Sequence, residues 1–261
     1  MALLALILFG ALAAPGLSSG DPNAPDVLHR FTAPSLHHLL GTDYLGRDEF
    51  GRLLYGARLS IFLVLVASLA TSLIGLVLGV MAAGYGGSVD HAVMRVVDAL
   101  QALPGLVLAL AVLGLLGAGE LTLLIAIVVA WWTGYARLVR GLALSVLQRE
   151  YVLAARSLGA SLPRILAWHV IPNVVGPAIV MTTLDMGRIL LAIAGLSFLG
   201  LGTPPPTPEW GSMLAEARAY FSEAPQLVFL PGVAVTLLAL SFNLVGDGLR
   251  DYLDPRMRVT L

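Results

Sequence analysis

Two ionisable side chains of this 261-residue chain sit where such groups are expensive. Asp185 and Arg188 are the sole charges within residues 170–200, a long apolar run. At the centre of a bilayer-spanning helix each alone costs about 2.5–3.5 kcal/mol on insertion scales. Three residues apart, they share a helix face and can pair. Two roles fit such a pair: lining a path for a polar solute, or tying packed helices together. His169 and the neighbours His37 and His38 offer imidazole, a good ligand for transition metals. His169 stands alone, and adjacent residues do not share a face, so no metal site is predicted. The chain has no cysteine, which excludes disulfides and thiolate chemistry. It has no lysine either, so the phosphate loop G-x-x-x-x-G-K-[ST] and Schiff-base catalysis are both absent. No H-E-x-x-H or G-x-S-x-G motif occurs, and Gly246-Asp247 lacks the first glycine of a Gly-x-Gly-Asp protease site. The chain reads as a non-enzyme with no cofactor of its own. Any work driven by ATP and Mg must be done by another chain.

The elements that position these residues are membrane spans. Hydrophobic residues make up 58% of the chain and charged residues 12%, about half the share of a soluble domain. Residues 59–83 and 227–245 carry no charge, and residues 99–118 are broken only by Gln101 and Pro104. Roughly 20 residues cross a ~30 Å hydrocarbon core. Residues 121–132 are shorter but extend toward Arg137, which can snorkel. Residues 1–17 read as a first transmembrane helix, shortened at its start. The rival reading, a signal peptide, lacks the required positive residue before its apolar stretch. The expected fold is therefore all-α and polytopic, with about six transmembrane helices and both termini on one side. Arginine counts place those termini. One side would hold Arg95, Arg137, Arg140, Arg149, Arg156, Arg164, Arg250, Arg256 and Arg258; the other Arg30, Arg47, Arg52, Arg58 and Arg218. The richer side is cytoplasmic, so both termini are expected there. Residues 18–58 then form an extracytoplasmic loop, residues 59–250 a five-helix domain and residues 251–261 a cytoplasmic tail. A net charge of −1 argues against a nucleic-acid partner. Small residues (Gly75, Gly79, Gly105, Gly114, Gly176, Gly187 and Gly195) mark helix faces built for close packing.

Several connecting segments carry their own signals. Between residues 149 and 173, Tyr151, Ala154, Ala155 and Leu158 fall at i, i+3, i+4 and i+7, one face of a helix. Glu150 and Arg156 flank it, and Gly159 and Pro163 are expected to break it. That face is small and alanine-rich, without an aromatic anchor. It suits a protein groove better than a headgroup layer. Phe50, Leu53, Leu54 and Ala57 line one face of a second amphipathic stretch, expected to meet another protein. Pro204, Pro205 and Pro206 suggest a stiff extended connector, and Trp210 an anchor at the membrane interface.

The stretch from Glu150 through Ala154, Ala155 and Gly159 to Pro172 resembles the EAA loop of ABC-importer permeases. Tyr151 after the glutamate resembles the peptide and nickel branch, whereas Ile171-Pro172 stands where Leu-Pro would be expected and His169 where Ile is usual. Three further segments resemble the second permease of dipeptide, oligopeptide and nickel systems. They are Leu40–Asp48 with Leu54–Arg58, Leu196–Gly202 with Pro205–Gly211, and Asn243–Pro255. The resemblance implies the type I importer permease fold, with Glu150, Ala154, Ala155, Gly159 and Pro172 in a cytoplasmic coupling segment. It also implies a homologous permease partner, two ATP-binding subunits and an extracytoplasmic substrate-binding protein, in the bacterial inner membrane. Small peptides are the expected cargo, nickel the next. Asp185 and Arg188 are the candidate path residues. A proton-coupled secondary transporter is the alternative, but it would want several buried carboxylates or an inverted repeat.

Overall fold

The computed structural model describes residues 2–18 and 20–253. The tail residues Asp254, Pro255, Arg256 and Arg258 lie outside them. The described residues are helical apart from turns and loops and one isolated bridge, between Thr42 and Asp48. In chain order the helices are α1 (Ala2–Leu17), α2 (Glu49–Tyr85), α3 (Gly87–Gln101), α4 (Gly105–Leu116) and α5 (Glu120–Leu147). There follow α6 (Glu150–Ser157), α7 (Leu162–Ile165), α8 (Ile171–Phe198), α9 (Trp210–Ala217) and α10 (Gln226–Leu253).

Among the described residues, four helices are long and apolar enough to cross a bilayer: α2, α5, α10 and the run Leu162–Phe198 that joins α7 to α8. The α3–α4 pair is a fifth if taken together, but it is bent by 90°. Pro104, the cap of α4, explains the break: it disfavours helical backbone at Leu103. The third apolar run is thus not one straight helix: α4 alone is about 18 Å long, shorter than the ~30 Å core. The short α1 packs on α2 and α10, burying Ala11 and Ala14.

Two spans exceed their apolar runs. Helix α2 starts at Glu49, ten residues before its charge-free stretch; Asp48 caps it by accepting from the Gly51 N–H at 2.7 Å. Helix α5 runs on past Arg137 and Arg140 to Leu147. Both arginines are ion-paired. Arg137 Nη2 meets Asp98 Oδ1 at 2.6 Å, and Arg140 holds both carboxylate oxygens of Asp90 at 2.5 Å. Both pairs tie α5 to α3.

Helix α2 is the centre of the bundle, packed against α5, α8 and α1. One core cluster joins Leu63, Val64, Ile127, Leu190 and Leu238; a second joins Val80, Val139, Val152, Leu166 and Val174. Of the seven glycines, Gly75 and Gly79 carry the closest helix approach. A Cβ on Gly75 would lie 2.2 Å from Tyr135 Cβ and 2.9 Å from the Ala136 nitrogen. Gly187 sits near the Ala239 carbonyl, whereas Gly114, Gly176 and Gly195 face open space within this chain. Opposite signs are therefore expected for two identical substitutions. Gly75→Ala forces α2 and α5 apart and destabilises by about 1–3 kcal/mol. Gly114→Ala meets nothing and is neutral or gains up to ~1 kcal/mol from helix propensity. Thermal unfolding of the detergent-solubilised protein separates the two.

Candidate functional sites

The segment after α5 folds back as α6, and its ends explain its sequence. Glu150 lies in the first turn, where a negative charge favours the helix dipole. At the other end Gly159 takes φ +87°. Its N–H donates to the Arg156 carbonyl at 3.0 Å, and the Ala160 N–H to the Ala155 carbonyl at 3.1 Å. This Schellman arrangement satisfies the last carbonyls and needs a residue tolerant of left-handed backbone. Pro163 does not break the helix as expected. It opens α7, where its missing N–H costs nothing. Pro172 stands at the start of α8, just after a π-helical turn, Leu166–Val170. A proline cannot donate to the fourth carbonyl before it and crowds that group, so the widened turn accommodates it.

Val152 is 2% exposed and pins α6 to the inner core cluster. The face made by Tyr151, Ala154, Ala155 and Leu158 points the other way. Ala154 is exposed, Ala155 half-buried, and Leu158 is 88% exposed. Tyr151 packs edge-on against His169, 5.8 Å between ring centres. A small apolar face is thus held outward on a helix fixed at both ends.

Asp185 and Arg188 do pair: Arg188 Nη1 donates to Asp185 Oδ1 at 3.0 Å. Both belong to α8, so the pair does not tie two helices together. The Asp185 carboxylate is 9% exposed and the Arg188 side chain 72%. They border a cavity of about 400 Å3 with Gln101, Pro104, Trp131 and Thr133. The Tyr135 hydroxyl is buried near Asp185 and Thr182 without a formed hydrogen bond. The cavity thus gathers the kink between α3 and α4, the polar positions of α5 and the charged pair of α8. Thr133, a polar residue in the apolar part of α5, is a sequence signal that could have pointed to it.

A second polar assembly was not foreseen. Arg47, Glu49, Arg52, Asp43 and Glu209 are all buried. Arg47 Nε donates to Asp43 Oδ2 at 2.5 Å and Nη2 to Glu216 Oε2 at 2.8 Å. Arg52 Nη2 reaches the same Glu216 oxygen at 2.9 Å, and Nη1 the Pro206 carbonyl at 3.2 Å. Burial opposes the charge of Arg47, but the carboxylates of Asp43 and Glu216 outweigh it and hold its pKa above the ordinary arginine value. Burial, then the Glu216 charge, pushes the Tyr44 phenol up. Glu209 caps α9 through the Gly211 and Ser212 N–H groups and accepts from Ser60 Oγ at 3.0 Å. Motifs more than 150 residues apart are thereby locked together at one end of the bundle.

This region corrects two expectations. Trp210 is a core residue, not an interface anchor; its Nε1–H donates to the Leu53 carbonyl at 3.0 Å. Phe50, Leu53, Leu54 and Ala57 line a cavity with α1 and Trp210 of the same chain. The triple proline is not an extended rod: Pro205 and Pro206 lie in a turn. His38 is also engaged, with Nδ1 3.0 Å from Asp48 Oδ1.

Known proteins share both sequence and fold. Residues 75–259 match the family described as binding-protein-dependent transport system inner membrane component. A putative peptide transport system permease protein of Brucella suis is 43% identical, over 99% of this chain and 87% of its own length. The nickel transport system permease protein NikC of Escherichia coli is 44% identical, over 97% and 94%. The di/tripeptide transport system permease protein DppC of Pseudomonas aeruginosa is 42% identical, over 97% and 86%. Among solved structures, inward-facing MetNI methionine ABC transporter superposes with a TM-score of 0.61 at 17% identity, covering 76% of this chain and 95% of that one. An amino acid ABC transporter solved with histidines gives 0.61 at 15%, covering 77% and 94%. Those two speak for the fold, and the closer relatives for the function; none of them supports a proton-coupled carrier. The chain belongs to the inner membrane components of binding-protein-dependent transport systems, as a permease subunit of an ABC importer and not an enzyme.

Proposed function

We propose that this chain pairs with a homologous permease around one translocation path, and that two ATP-binding subunits drive the pair through α6. One observation carries the reading: the outward apolar face of Tyr151, Ala154, Ala155 and Leu158 on a helix pinned by Val152. Burying a leucine side chain is worth about 1.5–3 kcal/mol, and the alanines let a partner groove come close. Glu150 and Gly159 fix the helix ends, and Pro172 the join to α8, so force on α6 passes into a span. ATP and Mg belong to the ATP-binding subunits, and this chain holds no cofactor. An extracytoplasmic binding protein delivers cargo, and the path alternates its access between the two sides. Both termini are cytoplasmic, as the arginine distribution supports.

Small peptides are the proposed cargo, in line with the names of the Brucella and Pseudomonas relatives. Nickel is the second reading, favoured by the similarity to NikC. Asp185 and Arg188 line the path and present one charge of each sign, which suits a zwitterionic peptide. Proteoliposomes holding the complete transporter test this. ATP-dependent uptake of a labelled dipeptide is expected, and Asp185→Asn, which leaves Arg188 unpaired, is expected to cut it about tenfold, the effect of ~1.4 kcal/mol. Nickel uptake without dipeptide uptake would select the second reading.

A further inference from the structure

A groove of about 600 Å3 runs between α1 and α2, within the range of pockets that hold small ligands. Its walls are apolar: Leu8 and Leu12 from α1, Leu59, Phe62 and Leu65 from α2. The polar groups gather at one end. Tyr55 and Arg58 lie there on α2, with the Arg58 guanidinium 5.7 Å from the Tyr55 ring centre. Arg58 is exposed and, among the described residues, makes no ion pair. Its place along the helix matters. The charge-free run of α2 begins at the next residue, Leu59. Arg58 therefore stands at the edge of the hydrocarbon layer, and the apolar wall continues past it for about 10 Å to Leu65.

We infer that this groove binds one phospholipid, with an acyl chain against Leu12, Phe62 and Leu65 and the phosphate on Arg58. The chemistry asks for an amphipathic anion. A cation beside a phenol supplies charge-assisted hydrogen bonds to phosphate oxygens, at the depth where phosphates lie, while the α1 and α2 walls beyond it are apolar. A transmembrane helix of another subunit would fill the apolar wall but leave the arginine at its head unpaired. An anionic lipid satisfies both ends, and it would wedge α1 against α2, whose first turns carry the buried Glu49 and Arg52.

The test uses the complete transporter in vesicles of phosphatidylcholine and phosphatidylglycerol, with a trace of phosphatidylglycerol carrying a photoreactive acyl chain. Labelled peptides are mapped after illumination. Expected is a concentrated label on Leu12, Phe62 or Leu65, reduced at least fivefold by Arg58→Gln and retained by Arg58→Lys. A groove-filling Leu8→Trp is expected to remove it with Arg58 intact. Label spread evenly over the exposed leucines of α2 and α4, indifferent to Arg58, would mean bulk lipid only and overturn the proposal. Absence of label together with protein–protein cross-links from Phe62 would assign the groove to a neighbouring subunit and overturn it equally.

Discussion

Ala154→Asp with Ala155→Asp is expected to lower ATP-driven uptake by roughly 30-fold, the consequence of losing a ~2 kcal/mol contact at an interface centre. The positions were chosen for what they do not touch. Ala154 is exposed and Ala155 only half-buried, so neither carboxylate enters the core. The inner cluster, held by Val152, keeps its packing. Aspartate costs up to ~0.7 kcal/mol of helix propensity per site, which an eight-residue helix feels. Leu158→Asp serves as the second variant, because Leu158 lies just beyond the helix and is almost fully exposed. Both variants should insert and assemble with the second permease. ATP hydrolysis by the partners should lose its response to cargo in both. Full uptake in both variants would remove α6 from the coupling route.

Glu216→Ala is expected to be the most damaging single change to stability. One carboxylate oxygen of Glu216 serves Arg47 and Arg52 together, and both guanidinium groups are almost wholly buried. Removing it leaves two buried cations sharing Asp43. Breaking a buried ion pair from one side costs about 3–5 kcal/mol, because the remaining charge stays desolvated. Glu223→Ala, on the exposed surface a few residues on, should change stability by no more than ~0.5 kcal/mol. Thermal unfolding in detergent compares them, and equal midpoints would mean the cluster is not what holds the N-terminal loop to α9. Its worth lies in position rather than in net stabilisation. An apolar set of the same volume would hold as well, but it would not fix Gly41–Asp48 against Pro205–Gly211 with the same directionality.

The helices themselves were legible from apolar runs, and the outward face of α6 from four residues at helical spacing. What failed to show was every feature that depends on a partner distant in sequence. The charges of Glu49, Arg52 and Arg58 make the start of α2 look like a loop; Asp43 and Glu216 neutralise the buried arginine among them, and the helix continues. Arg137 and Arg140 look like the end of a span until Asp98 and Asp90 arrive from α3. Trp210 resembles an interface residue because nothing nearby in sequence offers its N–H an acceptor; the Leu53 carbonyl does. Conversely, Asp185 and Arg188 were readable as a pair because their partners are each other, one turn apart on the same helix.

The chain has no native cysteine, which makes the decisive measurement clean. A single cysteine would be placed at Leu158, on the proposed coupling face, or at Leu115, exposed in α4 far from it. Each variant would be co-expressed with the other subunits of the transporter and treated with a short thiol-to-amine cross-linker. The account predicts a cross-link from Leu158→Cys to the ATP-binding subunit, none from Leu115→Cys, and a yield that changes when ATP is added. An ATP-binding subunit captured equally from both positions, or from neither, would contradict it.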